Sequence, residues 1–305
     1  MNTIVDDLLL ITNARAGSAN DETVDKVVAA LRRQTDVEVA ATASAEELDG
    51  IVKTASDRRV VVLGGDGSLH AVVRALHRNG LREVTEVALV PMGTGNDLAR
   101  SLGIPLEPMA AAQLALNGVS RSLDMLEDDA GGIVINAAHI GIGAEAAQKG
   151  EAVKHTLGPA GYAVGATVAG LTTGGWDLRV ESDGTPFGTH SKPLLMVALS
   201  LGQSIGGGTP VAPHADIEDG KADLMVSSAS GPLARVGFGR DLRKGQHVDR
   251  DDVLTTRARE VCVSGESFPV NADGEVEVDI TERTWRVLPA AWEMVTPPPR
   301  YGPKL

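Results

Sequence analysis

Residues 60–79 read VVVLGGDGSLHAVVRALHRN, and the reading of this stretch decides the fold. Val60 to Leu63 is an apolar run, mostly β-branched, with the character of a fully buried strand. It breaks at Gly64-Gly65-Asp66-Gly67 and resumes with Leu69, Val72, Val73 and Leu76, the i, i+3, i+4, i+7 stripe of one buried helix face. A strand, a glycine turn and a helix together bring backbone N–H groups and a helix N-terminus up to a phosphate. Glycine suits the turn because a side chain there would block close approach and positive φ. Asp66 is the odd member, since a carboxylate in a phosphate cradle repels the ligand unless it holds Mg2+, a hydroxyl or a backbone donor. Gly and Asp also serve plain turn geometry, but three glycines around one acid exceed that need.

Working outward, Leu8–Thr12 is a short strand that ends in the small polar turn Asn13-Ala14-Arg15-Ala16-Gly17-Ser18. A helix follows from about Asp21, with Val24, Val27, Val28 and Leu31 on one face. Val37–Ala40 reads as a strand and Ala45–Ala55 as a helix, while Asn79-Gly80 stops the helix of the opening stretch. Val87–Val90 is a strand that ends in a second glycine turn, Gly93-Thr94-Gly95-Asn96-Asp97. A short helix runs to Leu102 and stops at Gly103, and Pro108 opens another that ends at Asn117-Gly118. This alternation predicts a parallel, helix-flanked sheet. Ligands of such sheets bind at the carboxyl ends of the strands, where Asn13, Asp66 and Asn96 fall.

The pattern changes after Asp124. Ile133–Ala137, Trp176–Glu181, Leu194–Leu201, Ala222–Ser227, Glu260–Val263, Ser267–Val270 and Glu275–Ile280 read as strands, interrupted by helices around Ala144–Leu171 and Pro232–Arg243. Turn signals such as Asp183-Gly184 and Asp219-Gly220 join strands directly, which predicts an antiparallel arrangement. The expected architecture is an α/β nucleotide-binding domain over residues 1–124, then a mostly antiparallel β-rich domain over residues 125–287. Residues 288–305 are expected to pack back on the first domain or to trail off.

A net charge of −13 over 305 residues argues against nucleic acid as the main partner. Cys262, the single cysteine, leaves no intramolecular disulfide and no Cys-based zinc site. The N-terminus lacks a basic region before its apolar run and no apolar stretch reaches membrane-span length, so a cytoplasmic protein is expected. Arg235, Arg240, Arg243, Lys244, Arg250, Arg257 and Arg259 form the one basic concentration, interleaved with Asp241, Asp249, Asp251 and Asp252. It reads as a solvated helix and loop or as a membrane-facing edge. No GxxxxGK[ST] occurs, and Gly141-Ile142-Gly143-Ala144 imitates a dinucleotide fingerprint without its distant acid, so it reads as a structural turn.

Two glycine turns at adjacent strand ends can bracket a nucleotide from both sides, with Thr94 and Asn96 as donors and Asp97 as acceptor or metal ligand. Helix capping by Asn96 or Asp97 is the plainer alternative. The turns Gly64–Gly67 and PMGTGNDLAR (residues 91–100) resemble the diacylglycerol kinase catalytic domain family of soluble bacterial lipid kinases. The resemblance continues through Gly206-Gly207-Gly208, Ala212–Asp216, Asp219–Asp223 and Asp273-Gly274-Glu275. It implies an ATP- and Mg2+-dependent kinase for a lipid hydroxyl, most simply diacylglycerol giving phosphatidic acid, with the nucleotide in a cleft between the domains. It places ATP phosphates at Gly64, Gly65, Gly67 and Ser68 and nucleotide contact at Asn13. Mg2+ and polar contacts fall to Asp66, Gly93, Thr94, Gly95, Asn96 and Asp97, with Asp124 as a further acid near the nucleotide. Glu275 becomes the general base, and Asp216, Asp219 and Asp223 the candidates for a second, structural Mg2+. A transient contact with the inner face of the membrane follows, and a homodimer is compatible. The chain departs from the family at Ala14, where proline is usual, at His70-Ala71 in place of Asn-Glu, and at Thr209 in place of Met. Other acceptors (a sphingoid base, a glycerophospholipid, NAD) and a non-catalytic nucleotide-binding regulator remain rivals. Without the resemblance, Asp273-Gly274 reads as a hairpin turn.

Overall fold

The computed structural model describes residues 7–13, 21–55, 58–141, 174–188 and 192–298. The chain divides into two compact units, residues 1–123 with 290–305, and residues 124–289.

The first unit carries strands β1 (Asp7–Asn13), β2 (Asp36–Thr42), β3 (Arg59–Gly64) and β4 (Glu86–Pro91). Between and after them run helices α1 (Asp21–Leu31), α2 (Ala45–Val52), α3 (Asp66–Arg78), α4 (Asp97–Leu102) and α5 (Pro108–Asn117). β1 pairs in parallel with both β2 and β3, and β3 pairs in parallel with β4. Chain order therefore reverses between β1 and β3, the topological switch point at which open α/β sheets bind their ligands. Leu8–Ile11, Val60–Leu63 and Val87–Val90 are all buried, as continuous apolar runs in a sheet covered on both faces should be. Leu69, Val72, Val73 and Leu76 of α3 bury the predicted stripe. Buried Arg59 ties the lower edge together, binding Glu86 through Nε and Nη2 at 2.8 and 2.7 Å and donating to the carbonyls of Ala115 and Leu116 at the end of α5. A guanidinium suits both jobs, satisfying the last carbonyls of a helix while pairing a carboxylate.

The second unit holds β6 (Ile133–Val134), β7 (Ala137–Gly141), β8 (Leu178–Ser182), β9 (Thr185–Pro186), β10 (Met196–Ser200) and β11 (Ala222–Ser227). It continues through α6 (Pro232–Lys244), a 3-10 turn (His247–Asp249), β12 (Val253–Ala258), β13 (Glu260–Ala272) and most of β14 (Glu275–Thr296). The order β12-β11-β10-β7-β13-β14 is antiparallel throughout. β5 (Val119–Asp128) pairs with β6 and β14, and β8 with β13.

Three expectations need correction. β5 and β12 were not anticipated as strands, because VSRSLDMLED and VLTTRA are too polar to stand out, and half of β12 faces solvent at the sheet edge. Glu260–Val263 and Ser267–Val270 are one strand, β13, irregular between Ser264 and Val270, where Gly265 and Pro269 sit. A Cβ on Gly265 would stand 2.3 Å from the Asp177 carbonyl, and proline is tolerated where pairing is disturbed. β14 does not end at Ile280 but continues to Thr296, and its last residues pair in parallel with β4 through Glu293 and Met294. Ala290, with φ at 48°, marks a bend within this long strand. The helix expected around Ala144–Leu171 lies outside the described residues, as does all of the fingerprint-like turn after Gly141.

Candidate active site

The two glycine turns are built as one object. The backbone N–H of Met92 donates to the Gly64 carbonyl at 2.9 Å, extending the β3–β4 ladder past the strand ends. There Gly65 and Gly93 meet backbone to backbone. A Cβ on Gly65 would lie 2.9 Å from the Gly93 Cα, and one on Gly93 2.6 Å from the Gly65 Cα. Any side chain at either position must force the loops apart. Gly64 faces the same limit from the Ser68 side chain, 2.5 Å from a built Cβ. This cradle, which a methyl group would fill, fits a phosphate group brought to the backbone N–H groups of Asp66 and Gly67 at the start of α3, while that of Ser68 is taken by the Gly65 carbonyl at 3.0 Å.

Asp66 spans the two turns. Its carboxylate accepts from the N–H groups of Asp97 at 3.2 Å and Leu98 at 3.3 Å, capping α4 from another element. Burial pushes this carboxyl above its ordinary value, against the pull of those N–H groups. The backbone donor is thus one of the three uses foreseen for this acid. Asn96, buried and left-handed at φ 53°, spends its amide within its own turn, accepting from the Gly93 N–H at 3.1 Å and donating to the Gly93 carbonyl at 2.8 Å. It shapes the loop, while Thr94 is exposed on it. Asp97 is buried at the first position of α4.

A cavity of about 280 Å³ opens at the switch point. Asn13 lines it from the end of β1, Gly67 and Ser68 from the start of α3, and Thr42 and Ser44 from the end of β2. Arg74 and Arg78 of α3 stand at its wall, with Leu48 and Val72 supplying apolar surface. The sequence reading missed Thr42, Ser44, Arg74 and Arg78. The carboxyl-end rule that picked out Asn13 applies equally to Thr42, so that signal was present. The two arginines lie off the apolar stripe of α3 and looked like solvent-facing charge.

In the second unit, Asp273-Gly274 is a two-residue hairpin turn with both residues at positive φ, 49° and 96°, between paired Ala272 and Glu275. The Asp273 carboxylate accepts from the N–H groups of Ile135, Asn136 and Ala137 at 2.6, 3.1 and 3.0 Å, fastening the hairpin to the start of β7. Glu275 stands exposed immediately after this pinned turn.

Comparison with known proteins agrees with this construction. The family model for the diacylglycerol kinase catalytic domain matches residues 7–127, and that for the YegS C-terminal NAD kinase beta sandwich-like domain matches residues 136–296. A Pseudomonas aeruginosa protein named "Probable lipid kinase YegS-like" is 33% identical over 97% of this chain and 98% of its own. The Bacillus subtilis protein named "Diacylglycerol kinase" is 29% identical over 71% of this chain and 70% of its own. The chain belongs to the diacylglycerol kinase family, among its YegS-like lipid kinases. A crystal structure of a Bacillus anthracis diacylglycerol kinase superposes with a TM-score of 0.71 at 18% identity, covering 97% of this chain and 99% of that one, and so shares the fold. Membership in a kinase family makes the protein a phosphotransferase.

For a diacylglycerol kinase family member the remaining acids behave unevenly. Asp124 is buried, accepts from the Gly220 N–H at 2.7 Å and donates its own N–H to the Ile217 carbonyl, so it holds the 217–220 loop. Asp216 and Asp219 accept from the N–H groups of Glu218 and Lys221 in tight local turns, and Asp219 also pairs with Arg257. Burial pushes the Asp223 carboxyl up to about 6, against the attraction of His214 and with the help of Asp216. Among the described residues no three His, Cys, Asp or Glu side chains come together as a metal group. His70 and His77 take structural places: His70 is buried on α3, and His77 contacts Arg82. Among the described residues no helix is long and apolar enough to cross a membrane.

Proposed function

We propose that this protein transfers the γ-phosphoryl group of ATP to the hydroxyl of a membrane lipid, most simply diacylglycerol, giving phosphatidic acid. The observation that carries the proposal is the Gly65–Gly93 backbone contact beside the switch-point cavity, a cradle with room for phosphates and an adjoining chamber for a nucleoside. Asn13, Thr42 and Ser44 line the chamber and would meet ribose or base polar groups, with Arg74 at the wall beside Arg78, which Asp49 holds at 2.8 Å. The N–H groups at the start of α3 take the phosphate oxygens. Asp66 orders the second turn through α4, and Asp97, buried at the start of that helix, is the acid that would meet the cation of Mg-ATP. Bound Mg-ATP supplies the phosphoryl group and the cation that offsets its charge. Glu275 accepts the proton of the attacking lipid hydroxyl at its carboxylate. A carboxylate suits an alcohol that must shed a proton as it approaches the phosphorus, and the pinned Asp273 turn holds that carboxylate at a defined place on its own hairpin.

Incubation with labelled ATP and a panel of acceptors tests the proposal. Diacylglycerol, a sphingoid base and a glycerophospholipid are presented in mixed micelles, and NAD in solution. Label is expected in phosphatidic acid. Label in NAD and in no lipid overturns the assignment.

A further inference from the structure

α6 is built to be held from one side only. Ala234, Phe238 and Leu242, spaced i, i+4, i+8, face the core formed with Met196, Ala198, Val211 and Met225. The only acid of the helix, Asp241, is turned in as well, its side chain 14% exposed and bonded to Arg250 at 2.9 Å. Arg250 in turn binds Asp252 at 2.7 Å and the Ala234 carbonyl at 3.3 Å, so the inner face is locked without help from the outer one.

The outer face is another matter. Leu233 is 89% exposed and Val236 58% exposed, the former more than any other large apolar residue described. At 100° per residue they share one arc with Arg240, Arg243 and Lys244, all exposed. The arc is apolar in its first turn, where Pro232 also stands exposed, and basic in its last turns. Arg240 keeps a bond to Asp241 yet remains 70% exposed, and among the described residues no carboxylate pairs with Arg243 or Lys244. Folding has no use for Leu233 or Val236 in these places. On a chain of net charge −13, an outer arc without a single acid is a local reversal of sign.

We infer that the outer face of α6 is a membrane-docking surface, which lays Leu233 and Val236 into the headgroup boundary of an anionic bilayer while Arg240, Arg243 and Lys244 meet its phosphates. The chemistry is that of an interfacial amphipathic helix, with apolar insertion and cationic attraction on one side. At about 20 Å the helix is too short to span a bilayer, and it lies on the surface instead. An acidic protein approaching an anionic surface is repelled over much of its surface, and this face offsets that repulsion, so the same residues set its orientation. The inference rests on the proposed lipid acceptor only for its purpose. Docking itself needs neither ATP nor an acceptor.

Flotation of the full chain with vesicles, in the absence of nucleotide, tests it. Vesicles of phosphatidylcholine alone are compared with an equal mixture of phosphatidylcholine and phosphatidylglycerol. The wild type is expected to float with the mixed vesicles, less so as salt rises, and to ignore the neutral ones. Leu233→Ser with Val236→Ser should weaken binding on the order of tenfold or more, from the apolar area no longer buried. Arg243→Ala with Lys244→Ala should weaken it about fivefold per cation and remove most of the salt dependence. Val84→Ser, at a residue 74% exposed in the other unit, should change nothing. Phosphorylation of acceptor in detergent micelles should be equal in all variants, while that of acceptor in mixed vesicles falls with binding. Absence of micelle activity throughout would count against the kinase reading and leave the docking result standing. A wild type that ignores mixed vesicles, or binds them as well with both double substitutions, overturns the docking inference. So does loss, in the Leu233 and Val236 variant, of a concentration-dependent dimer alone, since that assigns the face to a second copy of the chain.

Discussion

Single atoms decide most of the candidate nucleotide site. Gly93→Ala places a methyl 2.6 Å from the Gly65 Cα, where only backbone movement relieves the clash. It should destabilise the first unit by about 1–3 kcal/mol and weaken ATP binding, measurable by denaturant melts and calorimetric titration. Asp66→Ala removes the cap of α4 from outside that helix, costing about 1 kcal/mol, and should impair ATP binding and transfer together as the Gly93–Asp97 turn loosens. Arg59→Met, far from the site, leaves Glu86 and the Ala115 and Leu116 carbonyls without their donor. Glu86 keeps contact with solvent, its side chain 40% exposed, so the cost is mainly that of the two orphaned helix-end carbonyls, about 1–3 kcal/mol by melting, with ATP affinity of the folded fraction unchanged. Asp66 also shows the limit of reading residue types. Its oddness among glycines was visible in sequence, but its bonds run to the N–H groups of Asp97 and Leu98, and only the folded β3–β4 register brings those within reach.

Elements show the same division. β3, β4 and α3 were legible because burial on both faces writes an unbroken apolar run, and burial on one writes a stripe. β5 and β12 were not, because edge and junction strands share their pairing with solvent and can be polar. The Asp273-Gly274 hairpin was legible as a turn, whereas the three N–H groups received by its carboxylate belong to residues some 136 to 138 positions away. Asp273→Ala leaves those N–H groups without their acceptor and should cost about 2–4 kcal/mol. It should also lower kcat more than it raises the KM for ATP, because it displaces Glu275 without touching the nucleotide turns. Asp273→Asn, which keeps one acceptor oxygen, should recover part of both losses.

Across the whole molecule, the two-part character of the chain was plain from the change of pattern near Asp124, and the family from the glycine and acidic motifs. The cavity was legible only in part: Thr42 sits at the carboxyl end of a strand, whereas Ser44, Arg74 and Arg78 carry no spacing that distinguishes them from surface residues. A consequence at this scale is acid sensitivity. His139, buried on β7 and with no partner for Nδ1 among the described residues, is held down to about 4 by burial. Its folded value lies below its unfolded one, so stability is fully present above about pH 6.5 and is lost as pH falls from there towards 4. The loss is on the order of 3 kcal/mol. His139→Leu should flatten that part of the melting-temperature profile.

Phosphoryl transfer to a lipid hydroxyl with Glu275 as base is tested most directly by comparing the wild type with Glu275→Gln for ATP binding and for label transfer to diacylglycerol in micelles. Equal ATP affinity is expected in the variant, with transfer reduced by roughly 100-fold or more. Transfer by Glu275→Gln at the wild-type rate would contradict that role for Glu275.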